Sequence, residues 1–156
     1  MPRSALRDAT SSREIENLIA SYAFLVDDGE FAELGDLLGD AEFSLNGAPV
    51  IKGRDAIEKF ARDTLLTYDG GTPRTRHVTT NIIIEAGEEG GEEEDTAISR
   101  SYYTVFQSLP GFPLQAIASG RYQDRFQRKN GQWRFTRRTV TTTLTGDTSH
   151  HVRNRA

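Results

Sequence analysis

The sequence predicts an α+β domain in which helices from the first part of the chain pack on one face of a mostly antiparallel sheet made by the rest. Three observations carry that expectation. Apolar residues recur at three- and four-residue spacings in three early segments. Four later segments are rich in β-branched and aromatic residues and are separated by Gly, Pro and Asn turns. The order, helices first and strands after, with no repeat or linker between, fits helices gathered on one side of an antiparallel sheet. At 156 residues the chain can bury a core without help from disulfides or a structural metal.

The elements follow in chain order. In "SSREIENLIASYAFLVDD" the residues Ile15, Leu18, Ile19, Tyr22, Leu25 and Val26 lie on one helical face, and Ser11 with Glu14 matches a capping box. Gly29 ends that helix, and Phe31, Leu34, Leu37 and Leu38 repeat the pattern in a second, shorter one. Asn46-Gly47 inside "AEFSLNGAPVIKG" is the strongest hairpin signal of the chain. A third helix follows, with Asp55 as its cap and Ile57, Phe60, Ala61, Thr64 and Leu65 on one face. The strand segments are then "TRHVTTNIIIEAG", "TAISRSYYTVFQSL", "LQAIASGRYQDRFQRK" and "GQWRFTRRTVTTTL", the last two joined by a turn at Asn130-Gly131.

Composition narrows the function. The chain has no cysteine, which removes thiolate nucleophiles, iron–sulfur clusters and cysteine-ligated zinc. Its 23 acidic and 19 basic residues give a net charge of −4, and six of the acidic residues lie in Glu88–Asp95, which reads as a solvated hairpin tip. The remainder is near neutral, so there is no basic footprint for nucleic acid. No segment has the length and apolarity of a signal region or a membrane span, and a cytoplasmic protein is the expectation. A Gly-rich phosphate loop, a nucleophile elbow and paired-His metal spacing are all missing from the body of the chain, so neither a metal nor a cofactor is expected.

Strand alternation sorts the remaining candidates by face. It places His77, Thr79 and Asn81 on one side of their strand and Val78, Thr80 and Ile82 on the other. It groups Tyr122, Asp124 and Phe126 in the third long strand, and Trp133, Phe135 and Arg137 in the last, as the aromatic, helix-covered face. Tyr22 and the pair Asp27-Asp28 come down over one end of that face. Of the three histidines, His150 and His151 fall in a polar tail, which leaves His77 as the one with a place in the fold. An imidazole ordinarily titrates near pH 6.5, so His77 suits proton transfer, with Asp27 to fix its tautomer; a histidine simply hydrogen-bonded in the core is the competing reading. Tyr22 and Asn81 are candidates to hold a substrate oxygen, and Tyr103, Tyr122 and Trp133 to touch a flat ligand, the other reading of these aromatics being plain core. Arg137 and Asp124 are expected to pair.

Taken together, "LIASYAFLVDDGEFAELGDLLGD", "GRDAIEKF", "TRHVTTN" and "GRYQDRFQRKNGQWRF", in this order, resemble the SnoaL-like branch of the nuclear transport factor two-like superfamily. The resemblance covers residues 12–147, with 1–11 a flexible N-terminus and 148–156 a polar C-terminal tail. It implies a cone-shaped α+β barrel and a site of the polyketide cyclase or scytalone dehydratase kind. Asp27 ending the first helix and His77 after "T-x" on a strand are similar to two catalytic positions of the dehydratase. Its second catalytic histidine has no counterpart on the strand "SYYTVFQSL", where Tyr103 and Gln107 are the polar residues. The reading that follows is a cofactor-independent enzyme carrying out dehydration, isomerisation or cyclisation on an apolar, cyclic or polyketide-like metabolite. A non-catalytic ligand-binding domain and a β-type subunit of a ring-hydroxylating dioxygenase stay open beside it. The resemblance further implies a homo-oligomer, dimer or trimer, through the outer sheet face.

Overall fold

The computed structural model describes residues 9–87 and 95–153. Three helices, α1 (Ala9–Asp27), α2 (Phe31–Leu37) and α3 (Arg54–Thr64), lie on a six-stranded sheet of β1 (Glu42–Leu45), β2 (Ile51–Lys52), β3 (Thr75–Ala86), β4 (Thr96–Leu109), β5 (Phe112–Lys129) and β6 (Gln132–Thr145). The strand order is β2-β1-β6-β5-β4-β3, antiparallel except where β1 runs parallel to β6. Ile15, Ile19, Val26, Leu34, Leu38 and Ile57 from the helices meet Val105, Tyr122, Phe126, Phe135 and Val140 from the sheet in one buried core. The α+β expectation is met, and so is the placing of the helices on the aromatic face.

Local details depart from the expected caps. Helix α1 is already formed at Ala9, so Ser11 lies buried within its first turns and is not the cap. Helix α3 begins at Arg54 after Gly53, and Asp55 sits in its first turn, where its carboxylate meets Arg54 at 2.9 Å. The same guanidinium reaches Asp36 on α2 at 2.7 Å. The two Asn-Gly turns form as read, with positive φ at both residues in each: 51° and 75° at Asn46 and Gly47, and 53° and 76° at Asn130 and Gly131. The acidic stretch Glu88–Asp95 lies outside the described residues but for Asp95, which accepts a hydrogen bond from Arg128 at 3.1 Å. Most of the N-terminal segment 1–11 also lies outside them.

One close contact sets the position of α1 against the loop before β3. Gly29, two residues beyond the helix, has φ +72°, and a Cβ there would stand 2.1 Å from the carbonyl oxygen of Gly71. Glycine therefore permits both the left-handed turn and the close approach to the loop that leads into β3. Val78, Ile83, Tyr102 and Leu144 stand exposed. Among the described residues no helix is long and apolar enough to cross a membrane.

Candidate active site

Asp27 is the last residue of α1, where a carboxylate meets the unfavourable negative end of the helix dipole. Three donors from β3 offset that cost. The backbone N–H of His77 donates to Oδ2 at 2.7 Å, and the Thr75 hydroxyl donates to Oδ1 at 2.8 Å. The His77 ring nitrogen Nδ1 lies 2.6 Å from Oδ1. Since the carboxylate accepts, Nδ1 is the protonated nitrogen and Nε2 is left as an acceptor. Both side chains are nearly buried, at 8% exposure for His77 and 9% for Asp27. The structure thus joins the two residues that the sequence proposed as a pair, and adds the Thr75 hydroxyl to the same network.

His77 lines a cavity of about 410 Å³ between the helices and the sheet, within the usual range for small-molecule sites. Its walls are largely apolar, from Val26, Leu34, Leu38, Phe43, Phe60 and Val140 among others, with few polar groups. A groove of about 630 Å³ on the other side of the sheet, among exposed Ile83, Arg100, Gln123, Arg125 and Arg137, contains none of the His77 network. The apolar cavity is the better site because it lies between the helices and the sheet, and a ligand bound there would be largely desolvated beside His77.

Three tyrosines form a row along the cavity. Tyr22 meets the His77 ring edge-on at 6.4 Å and the Tyr122 ring at 5.7 Å, while Tyr103 stacks on Tyr122 at 4.6 Å. Tyr103 lies across Gly120, where a Cβ would come within 2.8 Å of its ring, so the missing side chain makes room for it. The Tyr103 hydroxyl is 2.8 Å from the Thr142 hydroxyl. Burial pushes the Tyr22 hydroxyl up to about 12, although Arg138 pulls it the other way. Burial likewise raises Tyr122 well above the ordinary tyrosine value, and Tyr103 above it. All three are therefore hydrogen-bond donors at neutral pH.

The described part of the C-terminal segment, 148–153, is not a free tail. It crosses the cavity as a strap, with Leu65 and Val152 forming a β-bridge, Leu66 N–H donating to the His151 carbonyl, and Arg153 N–H donating to Thr64. Gln107, fully buried, donates from Nε2 to the carbonyls of Pro73 and His150, both at 3.0 Å. The strap brings the His151 ring to 6.2 Å from that of His77 and into the cavity wall. Sequence reasoning assigned this histidine to a polar tail; the signal it passed over was Val152, an apolar residue able to pair.

Other candidates lie elsewhere. Asn81 is exposed and outside the cavity: Asn81 and Ile82 together face one residue of β4, Ser101, and Asn81 takes φ +57° in this bulge, which breaks its alternation with His77. Trp133 is buried at the far end of β6 beneath Arg128 and does not line the cavity. A further bulge at Thr136 turns Arg138 inward in place of Arg137, which is exposed beside Glu42. Arg138 is the partner of Asp124, at 3.3 Å with both side chains fully buried. Its guanidinium lies 3.6 Å from the Tyr122 ring centre and 4.1 Å from that of Tyr22. Among the described residues no cluster of three or more His, Asp or Glu stands ready for a metal.

Comparison with known proteins agrees with this architecture. A candidate scytalone dehydratase from Novosphingobium aromaticivorans is 28% identical, the match covering 88% of this chain and 87% of that one at a TM-score of 0.65. A variant of a Mycobacterium tuberculosis protein of unknown function is 27% identical over 86% of this chain and 72% of its own, with a TM-score of 0.67. An NTF2-like protein with a cystatin-like fold, also from Novosphingobium aromaticivorans, is 25% identical over 88% and 92%, with a TM-score of 0.65. No curated protein matches. Residues 7–139 match the SnoaL-like domain family, and the chain belongs to it.

Proposed function

We propose that the chain is a small cofactor-independent enzyme that takes an apolar cyclic or polyketide-like ketone into its cavity and moves protons on it. The observation that carries this reading is the Asp27–His77 pair, hydrogen-bonded at 2.6 Å, with His77 in the wall of an apolar cavity. His77 Nε2 removes a proton from the carbon next to the carbonyl, and the electron pair moves onto the carbonyl oxygen. Asp27 holds the ring in the required tautomer and balances the imidazolium that forms. Tyr22, protonated at neutral pH and one ring away from His77, donates to the oxygen as its negative charge grows. The proton then returns to another carbon, giving isomerisation, or to a hydroxyl on the neighbouring carbon, which leaves as water and gives dehydration. The 28% identity with a candidate scytalone dehydratase supports the second outcome.

The test needs no knowledge of the product. A panel of cyclic and polyketide-like ketones is incubated with the protein in deuterium oxide, and loss of the proton next to the carbonyl is followed by NMR. The wild type should accelerate exchange on a subset of the panel. His77→Gln and Asp27→Asn, with the fold checked by circular dichroism, should slow it by about 10²–10⁴, the usual share of a positioned acid–base group. Binding without exchange in the wild type would reject catalysis in favour of a carrier domain, and an unchanged His77→Gln would reject the assigned base.

A further inference from the structure

We propose that His151, delivered by the C-terminal strap, is a second catalytic group of this cavity, donating a hydrogen bond to the ligand oxygen while His77 moves the proton. The proposal rests on the proton-transfer reading above. It is not something family membership assigns, because the family match ends at residue 139 and the strap lies beyond it.

Geometry carries the argument. The backbone on both sides of His151 is pinned: Leu66 N–H donates to the His151 carbonyl, Arg153 N–H donates to the Thr64 carbonyl, and the carbonyl of His150 accepts from Gln107 and from the Tyr68 hydroxyl. The neighbouring His150 ring packs against Phe112 at 4.4 Å, facing away from the task given to His151. The backbone that carries the His151 ring is therefore held in place before any ligand arrives, as a preorganised donor requires. Tyr22 and His151 each lie one ring away from His77, at 6.4 and 6.2 Å, so a ligand on His77 meets two potential donors. The buried Nδ1 of His151 has no hydrogen-bond partner among the described residues. A buried polar nitrogen left unpaired costs stability, so no protein hydrogen bond at Nδ1 offsets the burial of this ring, which lines the cavity wall.

Its charge state suits the same role. Burial, with the His77 ring next to it, pushes His151 down to about 4, while Asp27 acts weakly the other way. At neutral pH the ring is uncharged, with one N–H to donate and one nitrogen to accept. A neutral imidazole recognises a carbonyl, enol or phenol oxygen and has no particular attraction for carboxylates or phosphates. The ligand class is thus narrowed to uncharged oxygenated rings.

The experiment uses the full chain and two planar probes, 2-naphthol, which carries an enol-like hydroxyl, and naphthalene, which does not. Histidine ring resonances are followed by NMR during titration with each probe, in the wild type and in His151→Phe. In the wild type 2-naphthol should move the resonances of both His77 and His151. His151→Phe should weaken 2-naphthol about tenfold, the effect of roughly one hydrogen bond, and leave naphthalene binding at its wild-type level. Equal 2-naphthol affinity in the variant, or a wild-type titration in which His77 responds and His151 does not, overturns the role of His151 and leaves the His77 reading standing. If neither ring responds to any ketone or naphthol, both readings fall together. Should His151→Phe fail to fold, the wild-type resonances decide the matter alone.

Discussion

Two aspartates of this molecule, Asp27 at the end of α1 and Asp124 on β5, each lie against a basic side chain, and they are treated in opposite ways. Asp27 accepts three hydrogen bonds, and its partner His77 lines a cavity with one ring nitrogen outside that bond. Asp124 faces Arg138 at 3.3 Å with a single long bond from Ser99, 3.4 Å, and all three guanidinium nitrogens lack hydrogen-bond partners among the described residues. The guanidinium is instead enclosed by the faces of Tyr22, Tyr122 and Phe135. Burial pushes Asp124 up to about 6 even though Arg138 pulls it down. The first pair is arranged to move a proton at its open end. The second is a desolvated charge pair that supports the tyrosine row from beneath, and its net contribution to stability is expected to be small while the pair is intact.

That contrast can be broken most sharply at Arg138. Arg138→Met should destabilise the fold by about 3–5 kcal/mol in urea unfolding at pH 7, because Asp124 is left buried and unpaired. The loss should shrink at pH 5, where Asp124 carries its proton. Adding Asp124→Leu should recover most of it. A loss below about 1 kcal/mol at pH 7 would mean that the pair is better hydrated than its burial implies.

A smaller effect separates His151 from Asp124 by pH. His151 has its folded value lowered, to about 4 from the ordinary 6.5, with His77 and Asp27 as the titratable groups around it. Its contribution is therefore complete above pH 6.5 and is lost as pH falls through 4. Asp124, with Arg138, Ser99, Tyr22 and Tyr122 around it, has its value raised to about 6 from 3.8, so its contribution is complete below pH 3.8 and is lost as pH rises through 6. The two slopes oppose one another, and the difference between wild type and His151→Gln isolates the first. That difference should rise with pH from 4 to 6.5 by on the order of 1–2 kcal/mol, discounted for the partial exposure of the ring. A flat difference would show that His151 is solvated. The smallest effect belongs to Asn81, which touches neither pair. Asn81→Gly, compatible with its positive φ, should change stability by less than about 0.5 kcal/mol and leave 2-naphthol affinity unaltered.

The helices, the strands, the two Asn-Gly turns and the Asp27–His77 pair were legible because each rests on local pattern: apolar spacing, turn chemistry, or an acidic helix end facing a histidine in a strand. What was not legible depended on single inserted residues and on one long-range pairing. The bulges at Asn81 and at Thr136 each reverse the alternation beyond them, so Asn81 left the site and Arg138 replaced Arg137 as the partner of Asp124. Neither site carries a glycine to announce the irregularity. His151 was missed because its place is decided by backbone bonds to Thr64 and Leu66, more than eighty residues earlier in the chain, and a short polar segment holds no periodicity from which such bonds can be read.

The contact between Gly29 and Gly71 bears on the dyad in a different way. Asp27 belongs to a helix and His77 to a strand, and the two are joined in space by a 2.6 Å bond whose length tolerates little error. Their spacing is fixed two residues beyond the helix, where a hydrogen atom takes the room a methyl group would need. Acid–base alignment in this fold is thus governed by a mechanical stop that has no charge, no titration and no contact with ligand, and a drifting sequence could lose the chemistry at position 29 while every reacting group stayed in place.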